Sequence, residues 1–195
     1  MRKGLKLVFR LLAHLFVFPL LLWHWLWIPV LGADRSVQGS TEFLSLIPGI
    51  FGNYLRNAFL TWTIKHCHPS ATLSFGTTFS KANASIGKLV YIGPGCHLGM
   101  VDIQRDVLVA AGVHITSGAR THGFADDNKP IRDQEGTLEV VTIGENSWIG
   151  SAAIVMADVG KNTIIGAGAV VTKPIPDNVV AVGIPAKVIQ QRFKQ

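Results

Sequence analysis

Aliphatic or aromatic side chains recur at steps of about six residues from about residue 73 onward. The series starts at Leu73, is interrupted after Ile115, resumes at Ile143 and ends at Val171. Its members are Leu73, Phe79, Ile86, Ile92, Leu98, Ile103, Val109, Ile115, Ile143, Ile149, Val155, Val159, Ile165 and Val171. A period of six fits neither an α-helix nor an alternating strand, and it is a signature of a parallel β-helix.

Each hexapeptide of such a fold supplies one short strand and one turn, and three of them close a triangular coil of roughly 18 residues. The aliphatic residue points inward and stacks on its counterpart in the next coil. Glycine often follows it, as at Gly93 and Gly150, which suits a tight corner. The repeat therefore predicts a mainly β fold of between about four and five coils. A β-sandwich is the alternative, but it predicts alternation with a period of two.

The start of the chain is apolar without this period. No charged residue occurs between Leu11 and Leu31, a stretch close to the ~20 residues that a membrane helix needs. Pro19 interrupts this stretch, and the tryptophans at 23, 25 and 27 suit a membrane interface. A monotopic or re-entrant anchor, a single span and a cleaved signal peptide are the three hypotheses.

A second apolar region follows from Thr41 to Ile64. Residues 45–49 predict a turn because they contain a Pro-Gly pair. Residues 51–63 predict an amphipathic helix, which either lies on the membrane or caps the open end of the β-helix.

Composition narrows the class of protein. Hydrophobic residues make up 48% of the 195 residues, charged residues make up 15%, and the net charge is +6. A basic balance suits nucleic acid, an anionic membrane or an anionic cofactor. Nucleic acid is the weakest of these, since no Lys/Arg-rich stripe or known binding module is present. The two cysteines, Cys67 and Cys96, are interpreted as reduced thiols.

The repeat breaks between residues 118 and 141, where the sequence turns polar. A long loop inserted in a regular solenoid is typically functional. His122 is the only histidine within it, and a neutral imidazole can accept a proton from an attacking hydroxyl group. His97 and His114 lie within the repeat and are interpreted as turn or surface residues. His66 and His68 flank Cys67, but no further ligand with familiar spacing accompanies them, so no metal site is expected.

The run from Thr142 to Ile189 contains the motifs WIG, IGAGAVVTKPIP and GIPAKVI. These motifs are similar to those of the hexapeptide-repeat acyltransferases, and the run resembles the maltose, galactoside and capsular-polysaccharide O-acetyltransferases. The upstream GNYLRNAF and VYIGPGCHLG look like a subgroup with an apolar N-terminal extension. The resemblance covers about residues 73–189. It implies a left-handed parallel β-helix, a homotrimer and acetyl-CoA as co-substrate.

The resemblance also implies roles for individual residues. His122 is expected to be the catalytic base. By its chemistry such a base needs a carboxylate or a main-chain carbonyl to fix its tautomer, and spacing alone does not choose between Asp126, Asp127 and the main chain. The expected CoA-contacting residues are Ser151, Ala167, Thr172, Lys173 and Lys187. Asp126 is a candidate for the acceptor side of the site. Trp148 either faces the acceptor pocket or simply packs on a neighbour.

Three regions are expected: an apolar helical membrane-associating region (1–65), a β-helix acyltransferase domain (66–189, with the loop 118–141) and a tail (190–195). A short C-terminal helix is expected to cap the last coil. An anchor on the cytoplasmic side is favoured, because a single span with the positive end inside would place the domain away from cytosolic CoA.

The predicted function is O-acetylation of a sugar hydroxyl in a polysaccharide, a glycolipid or a related precursor. One alternative is N-acyl transfer to an amino sugar. The other is a β-helix protein without acyltransferase activity. It would be either a scaffold or a zinc enzyme similar to carbonic anhydrase, in which His97, His114 and His122 contribute ligands across a subunit interface.

Overall fold

The computed structural model describes residues 3–193, so the ends of the predicted N-terminal region and of the tail lie outside the described residues. Three helices come first, followed by a parallel β-helix of about six turns. The helices are α1 (Lys3–Leu31), α2 (Ala33–Ser45) and α3 (Gly49–Thr63). The strands are β1 (His66–Cys67), β2 (Thr72–Leu73), β3 (Thr78–Phe79), β4 (Ser85–Ile86), β5 (Tyr91–Ile92), β6 (His97–Leu98), β7 (Val101–Ile103), β8 (Leu108–Val109), β9 (His114–Ile115), β10 (Val141–Ile143), β11 (Trp148–Ile149), β12 (Ile154–Val155), β13 (Ile164–Ile165), β14 (Val170–Val171), β15 (Val179–Val182) and β16 (Lys187–Gln191).

From β1 to β12, every third strand belongs to the same face of the β-helix. The first sheet contains β1, β4, β7 and β10, and single bridges at Val159 and Ile175 extend it. The second sheet contains β2, β5, β8, β11, β13 and β15, and the third contains β3, β6, β9, β12 and β14. The strands of the coils pair in parallel. The three faces thus form a triangular prism, as the six-residue period predicts.

The predicted inward positions are confirmed. All fourteen aliphatic or aromatic residues of the repeat are at most 2% exposed. They stack in register, as in the column Leu98, Ile115 and Val155 of the third sheet. The predicted number of coils was too low. The six-residue series omits the first and the last coil. The inward residue of the first coil is Cys67, which is not aliphatic. The last coil contains Ile175, which pairs with Val159 through a single bridge.

Glycines after the inward residues are needed for space. A Cβ built on Gly93 would lie 2.7 Å from the carbonyl carbon of Ala110, and one on Gly150 would lie 2.5 Å from the backbone nitrogen of Ala167. Both are closer than carbon atoms approach in practice. Adjacent coils touch backbone to backbone at these corners, so only a hydrogen atom fits.

The end of the chain differs from the predicted short helix. β16 runs antiparallel to β15, with Lys187 opposite Val182 and Gln191 opposite Val179. β15 is the last strand of the second sheet and offers unpaired backbone groups along its outer edge, which the returning chain satisfies. The tail therefore covers the end of the solenoid as a strand. The backbone N–H of Arg192 donates to Asn178 O at 2.7 Å.

The predicted turn at 45–49 and the following helix are confirmed by the end of α2 and by α3. α3 packs on β1 and β2, while α2, which the sequence analysis did not anticipate, packs on β3. α1 contacts α2 and α3 through one stripe: Ala13, Val17, Leu21 and His24. Among the described helices, α1 alone is long and apolar enough to cross a membrane.

Polar side chains join the helices to the first coil. Arg56 of α3 is 2% exposed, and its Nε donates to Leu73 O at 2.8 Å. Its Nη1 donates to Leu44 O at 2.9 Å and to Ile47 O at 2.8 Å, where α2 ends. Burial lowers the pKa of the guanidinium to about 10, so it stays charged at neutral pH. One buried cation therefore holds α2, α3 and β2 together.

Replacing Arg56 with Met is expected to destabilise the fold by at least about 3 kcal/mol, because each buried carbonyl left without a donor costs about 1–3 kcal/mol. Unfolding of the purified full chain in a mild detergent, followed by circular dichroism, measures this. The matched control is Arg105→Gln, since Arg105 forms an exposed ion pair with Glu145 and should matter little. An unfolding midpoint of Arg56→Met equal to that of Arg105→Gln would contradict the role of Arg56.

Candidate functional site

The interruption of the repeat is an extruded loop between β9 and β10. It leaves the β-helix at the corner between the third and first sheets. Its two limbs pair at the base, where Glu139 N donates to Ser117 O at 2.9 Å and Thr137 N donates to Arg120 O at 2.7 Å. His122 follows directly after this paired base, so the loop holds it close to the β-helix.

His122 borders an open groove of about 770 Å³, here called the His122 groove. The outward side chains of the third sheet form its floor, and α2 contributes Gln38 and Glu42 at one end. Leu138 of the returning limb also lines it. The groove therefore lies between the candidate base, the β-helix surface and the helical region.

Two further histidines lie on the floor of this groove. His97 and His114 occupy paired positions on β6 and β9, and their rings lie 4.7 Å apart at 42°. Thr78, one coil below, lies 2.8 Å from His97 Nδ1 through its Oγ1. The sequence analysis interpreted both histidines as surface residues, and both are exposed. It missed that they stack in one groove with His122, although their separation of about one coil was a usable signal.

The carboxylates of the loop point to a local role. Asp126 Oδ1 accepts the backbone N–H of Asn128 at 3.0 Å, and its Oδ2 lies 3.6 Å from Lys129 Nζ. Asp127 accepts from the side chain of Asn128 at 3.0 Å. Neither carboxylate hydrogen-bonds to His122 in this single chain; both form local contacts instead. Short aspartate side chains bond most readily to the backbone two residues ahead, and here that closes the tip of the loop.

No side chain within residues 3–193 hydrogen-bonds to the ring of His122 in this single chain. The imidazole is exposed and faces the groove. Both ring nitrogens are therefore free to contact a bound molecule.

The residues that the resemblance links to CoA line the upper part of the third sheet. Ser151 and Ala167 follow one another at the corner between the second and third sheets, where Gly168 N donates to Ser151 O at 2.8 Å. Lys187 extends this corner, because it pairs with Val182, whose side chain abuts Gly166. All three predicted residues are exposed.

Thr172 and Lys173 lie at the opposite corner of the third sheet, directly after β14. The loop that carries His122 leaves the β-helix along this same corner, from lower coils. The predicted CoA residues thus lie along both edges of the third sheet, in its upper coils. The lower coils of the same sheet form the floor of the His122 groove.

Trp148 lies on a different face. It points outward from β11 in the second sheet, with its side chain half exposed, and it sits between Leu108 and Ile164. The His122 groove belongs to the third sheet. Within one chain, Trp148 and His122 therefore do not line the same groove.

The two cysteines lie buried within the β-helix. Cys67 points into the first coil, and burial raises the pKa of its thiol to about 12. Burial also raises the pKa of the Cys96 thiol. Both are free thiols. Between residues 3 and 193 of one chain, no three His, Cys, Asp or Glu side chains converge as metal ligands would.

Comparisons with known proteins agree with this architecture. The family described as bacterial transferase hexapeptide (six repeats) matches residues 141–173. Galactoside O-acetyltransferase of Escherichia coli (strain K12) is 29% identical over 182 residues, which cover 80% of this chain and 88% of that protein. Together with the repeat, this similarity supports an acyltransferase.

Solved structures share the fold. A galactoside acetyltransferase in complex with coenzyme A has a TM-score of 0.65 and 24% identity, over 82% of this chain and 81% of that chain. A maltose O-acetyltransferase from Clostridium difficile 630 has a TM-score of 0.60 and 24% identity, over 83% and 87%. AntD, an N-acyltransferase from Bacillus cereus in complex with dTDP and 3-hydroxybutyryl-CoA, has a TM-score of 0.53 and 14% identity, over 67% and 84%.

The position of His122 depends on Gly136, which faces it across the loop. A Cβ at position 136 would overlap the carbonyl of Thr121 and lie 2.5 Å from His122 N. Gly136→Ala should therefore displace His122 and lower the rate of acyl transfer at least about tenfold, since misplacement of a reacting group by about 1 Å can cost about 100-fold. The unfolding midpoint should hardly change, because the loop lies outside the coils.

Gly4→Ala is the control for this substitution, because a Cβ there would meet nothing within 4 Å. Steady-state acyl transfer by the purified variants measures the effect. Wild-type rates for Gly136→Ala would show that His122 does not need this loop geometry.

Proposed function

We propose that this hexapeptide-repeat acyltransferase is an acetyl-CoA-dependent O-acetyltransferase that acts on a sugar hydroxyl of a polysaccharide, a glycolipid or a related precursor. The observation that carries the proposal is the placement of His122 at the edge of a groove on the third sheet, in a chain related to a galactoside O-acetyltransferase. The groove is open enough to admit a sugar ring together with the end of an acyl donor.

His122 acts as the general base. Its neutral imidazole accepts the proton of the acceptor hydroxyl while that oxygen attacks the thioester carbon. The imidazolium then returns the proton to the departing sulfur of CoA, so that His122 is neutral again after each turnover. Exposure of the ring to the groove lets one nitrogen reach the hydroxyl. Backbone N–H groups at the corners of the coils are the available donors for the developing oxyanion.

Ser151, Ala167 and Lys187 form one wall of the donor site. The small side chains at 151 and 167 leave the backbone accessible to the amide groups of the pantetheine chain. Lys187 lies at the end of this wall and supplies a positive charge for the phosphates of the donor. Thr172 and Lys173 contact the donor from the opposite corner.

The active form is a homotrimer with its sites between subunits. Two observations support this. Trp148 and His122 lie on different faces of the prism, so a Trp148 that lines the acceptor pocket would do so in the groove of a second copy. Ile154 points outward from the third sheet, directly above His114, and is 39% exposed. An exposed apolar side chain at this position suits burial by a neighbouring subunit.

The helical region binds the cytoplasmic surface of a membrane as an interfacial anchor. The outward side of α1 is apolar, with Leu15, Phe16 and Leu26 each more than 60% exposed. Its inner stripe packs on α2 and α3 over several turns, which favours a helix lying along the membrane over one crossing it alone. Lys6 and Arg10 at its start suit anionic lipid headgroups.

Transfer to an amino sugar is the second candidate, supported by the fold shared with an N-acyltransferase. The same base and the same groove serve an amine acceptor. The chemical stability of the product distinguishes the two, because an acetate ester is cleaved by mild alkali and an amide is not.

His122→Ala should abolish transfer of label from radiolabelled acetyl-CoA into glycan or glycolipid, with a loss of at least about 100-fold, the lower range for removal of a general base. Washed membranes and the soluble fraction of cells expressing each variant are assayed in parallel. Alkali-labile label in the membrane fraction supports an ester product and the membrane location.

His66→Ala is the matched control, since His66 is exposed on the first coil and outside the groove. Coenzyme A binding should be unchanged in both variants. Equal labelling by His122→Ala and His66→Ala would remove His122 from the mechanism, and activity confined to the soluble fraction would contradict the anchor.

Mixing two inactive variants tests the site between subunits. If His122 of one chain and Trp148 of its neighbour form one site, coexpressed His122→Ala and Trp148→Ala chains should regain about a quarter of wild-type activity, as expected for random assembly in a cyclic oligomer. Each variant alone should stay inactive. Absence of recovery, with trimers still present by light scattering, would show that both residues act within one chain or that Trp148 only packs.

A further inference from the structure

A cavity of about 180 Å³ lies where the start of α1 meets α3 and the first coil of the β-helix. Lys6 and Arg10 line it from α1, Asn53 and Tyr54 line it from α3, and residues 69–72 line it from the turn that leads into β2. Most of its lining residues are polar or charged, and none of them borders the His122 groove. Nothing in the proposed acetyl transfer uses this cavity.

The positive charge at this cavity has no counter-charge in the chain. Neither Lys6 nor Arg10 forms an ion pair within residues 3–193, and no carboxylate of these residues lines the cavity. Arg10 is partly buried, and its Nε has no hydrogen-bond partner. The pKa of the nearby His68 is lowered, chiefly by desolvation and further by surrounding positive charges that include Arg10. A partly buried cation without a partner is costly, so an anion would stabilise this site.

The side of the cavity formed by α3 adds neutral hydrogen-bond donors. Asn53 Oδ1 accepts from Arg56 Nη2 at 2.7 Å, which leaves Nδ2 as the available end of the amide. The ring of Tyr54 stacks on Phe9, with the centroids 5.8 Å apart at 28°, so its position is fixed by packing. Two cations and several neutral donors around one small space match a ligand with a negative charge and several acceptor oxygens.

We propose that this cavity binds a phosphate group. Arg10 and Lys6 neutralise its charge, and Asn53 and Tyr54 donate hydrogen bonds to its oxygens. The headgroup of an anionic lipid and free phosphate offer the same chemistry. The exposed Ile50 also lines the cavity, so its mouth adjoins apolar surface that the acyl chains of a lipid would cover. A bound phosphate ties α1 to α3 and to the first coil.

Native mass spectrometry of the full chain in a neutral detergent tests this site with two probes, dioctanoyl phosphatidic acid and inorganic phosphate. Phosphatidic acid should bind saturably, and dioctanoylglycerol, which has the same chains without the phosphate, should not. If inorganic phosphate at equal concentration displaces the lipid, the site takes free phosphate. If it does not, the lipid headgroup is the ligand.

Arg10→Gln and Tyr54→Phe should each weaken phosphatidic acid binding about tenfold, as expected for loss of a hydrogen bond to a charged group. Tyr54→Phe keeps the net charge and the ring that stacks on Phe9, so its effect would not come from weaker general attraction to an anion. Both variants should keep the unfolding midpoint of the wild type.

Arg35→Gln is the matched control, because it removes an exposed cation of the helical region that does not line this cavity. It should bind phosphatidic acid as the wild type does. Equal binding of dioctanoylglycerol would reduce the contact to an apolar one and overturn the proposal. So would unchanged binding by Arg10→Gln and Tyr54→Phe, or an equal loss of binding in Arg35→Gln.

Discussion

The stacking of one inward aliphatic side chain on the next is the constraint on which the whole structure depends. Most strands of the β-helix contain only two residues, so none is stable by itself. Each coil receives its hydrogen bonds and its apolar contacts from the coils above and below. The inward positions and the glycine corners are therefore fixed by packing, while the outward positions are free to carry function.

The same constraint makes the two ends the weak points of the solenoid. At the start, side chains of the helices take the place of a preceding coil. Arg56 donates a hydrogen bond to the carbonyl of Leu73. Thr41 Oγ1 donates to the carbonyl of Phe79 and accepts from its backbone N–H. At the other end, β16 pairs with the free edge of β15. The segment expected to associate with a membrane is thus also the cap that completes the first coil.

This double use of the helices bears on the His122 groove. α2 presents Gln38 and Glu42 to that groove and also packs on α1. Arg56 and Asp34 fix α2 to the β-helix, so the groove holds a set position relative to the apolar face of α1. An acceptor carried by a lipid would then reach His122 from the side of the helical region.

The repeat, its inward residues and the interruption that carries His122 could all be predicted from the amino-acid pattern. These features follow from local spacing, because a side chain every six residues can be buried only in this kind of coil. The CoA-linked residues were placed by resemblance, and the structure brings them to the two edges of one face. The sixth coil, the strand β16 and the stacking of His97 on His114 became visible only in the folded chain. The same is true of the local hydrogen bonds of Asp126 and of the separation of Trp148 from His122. Each of these depends on which residues meet across coils, and coil lengths vary too much for spacing along the chain to fix that register.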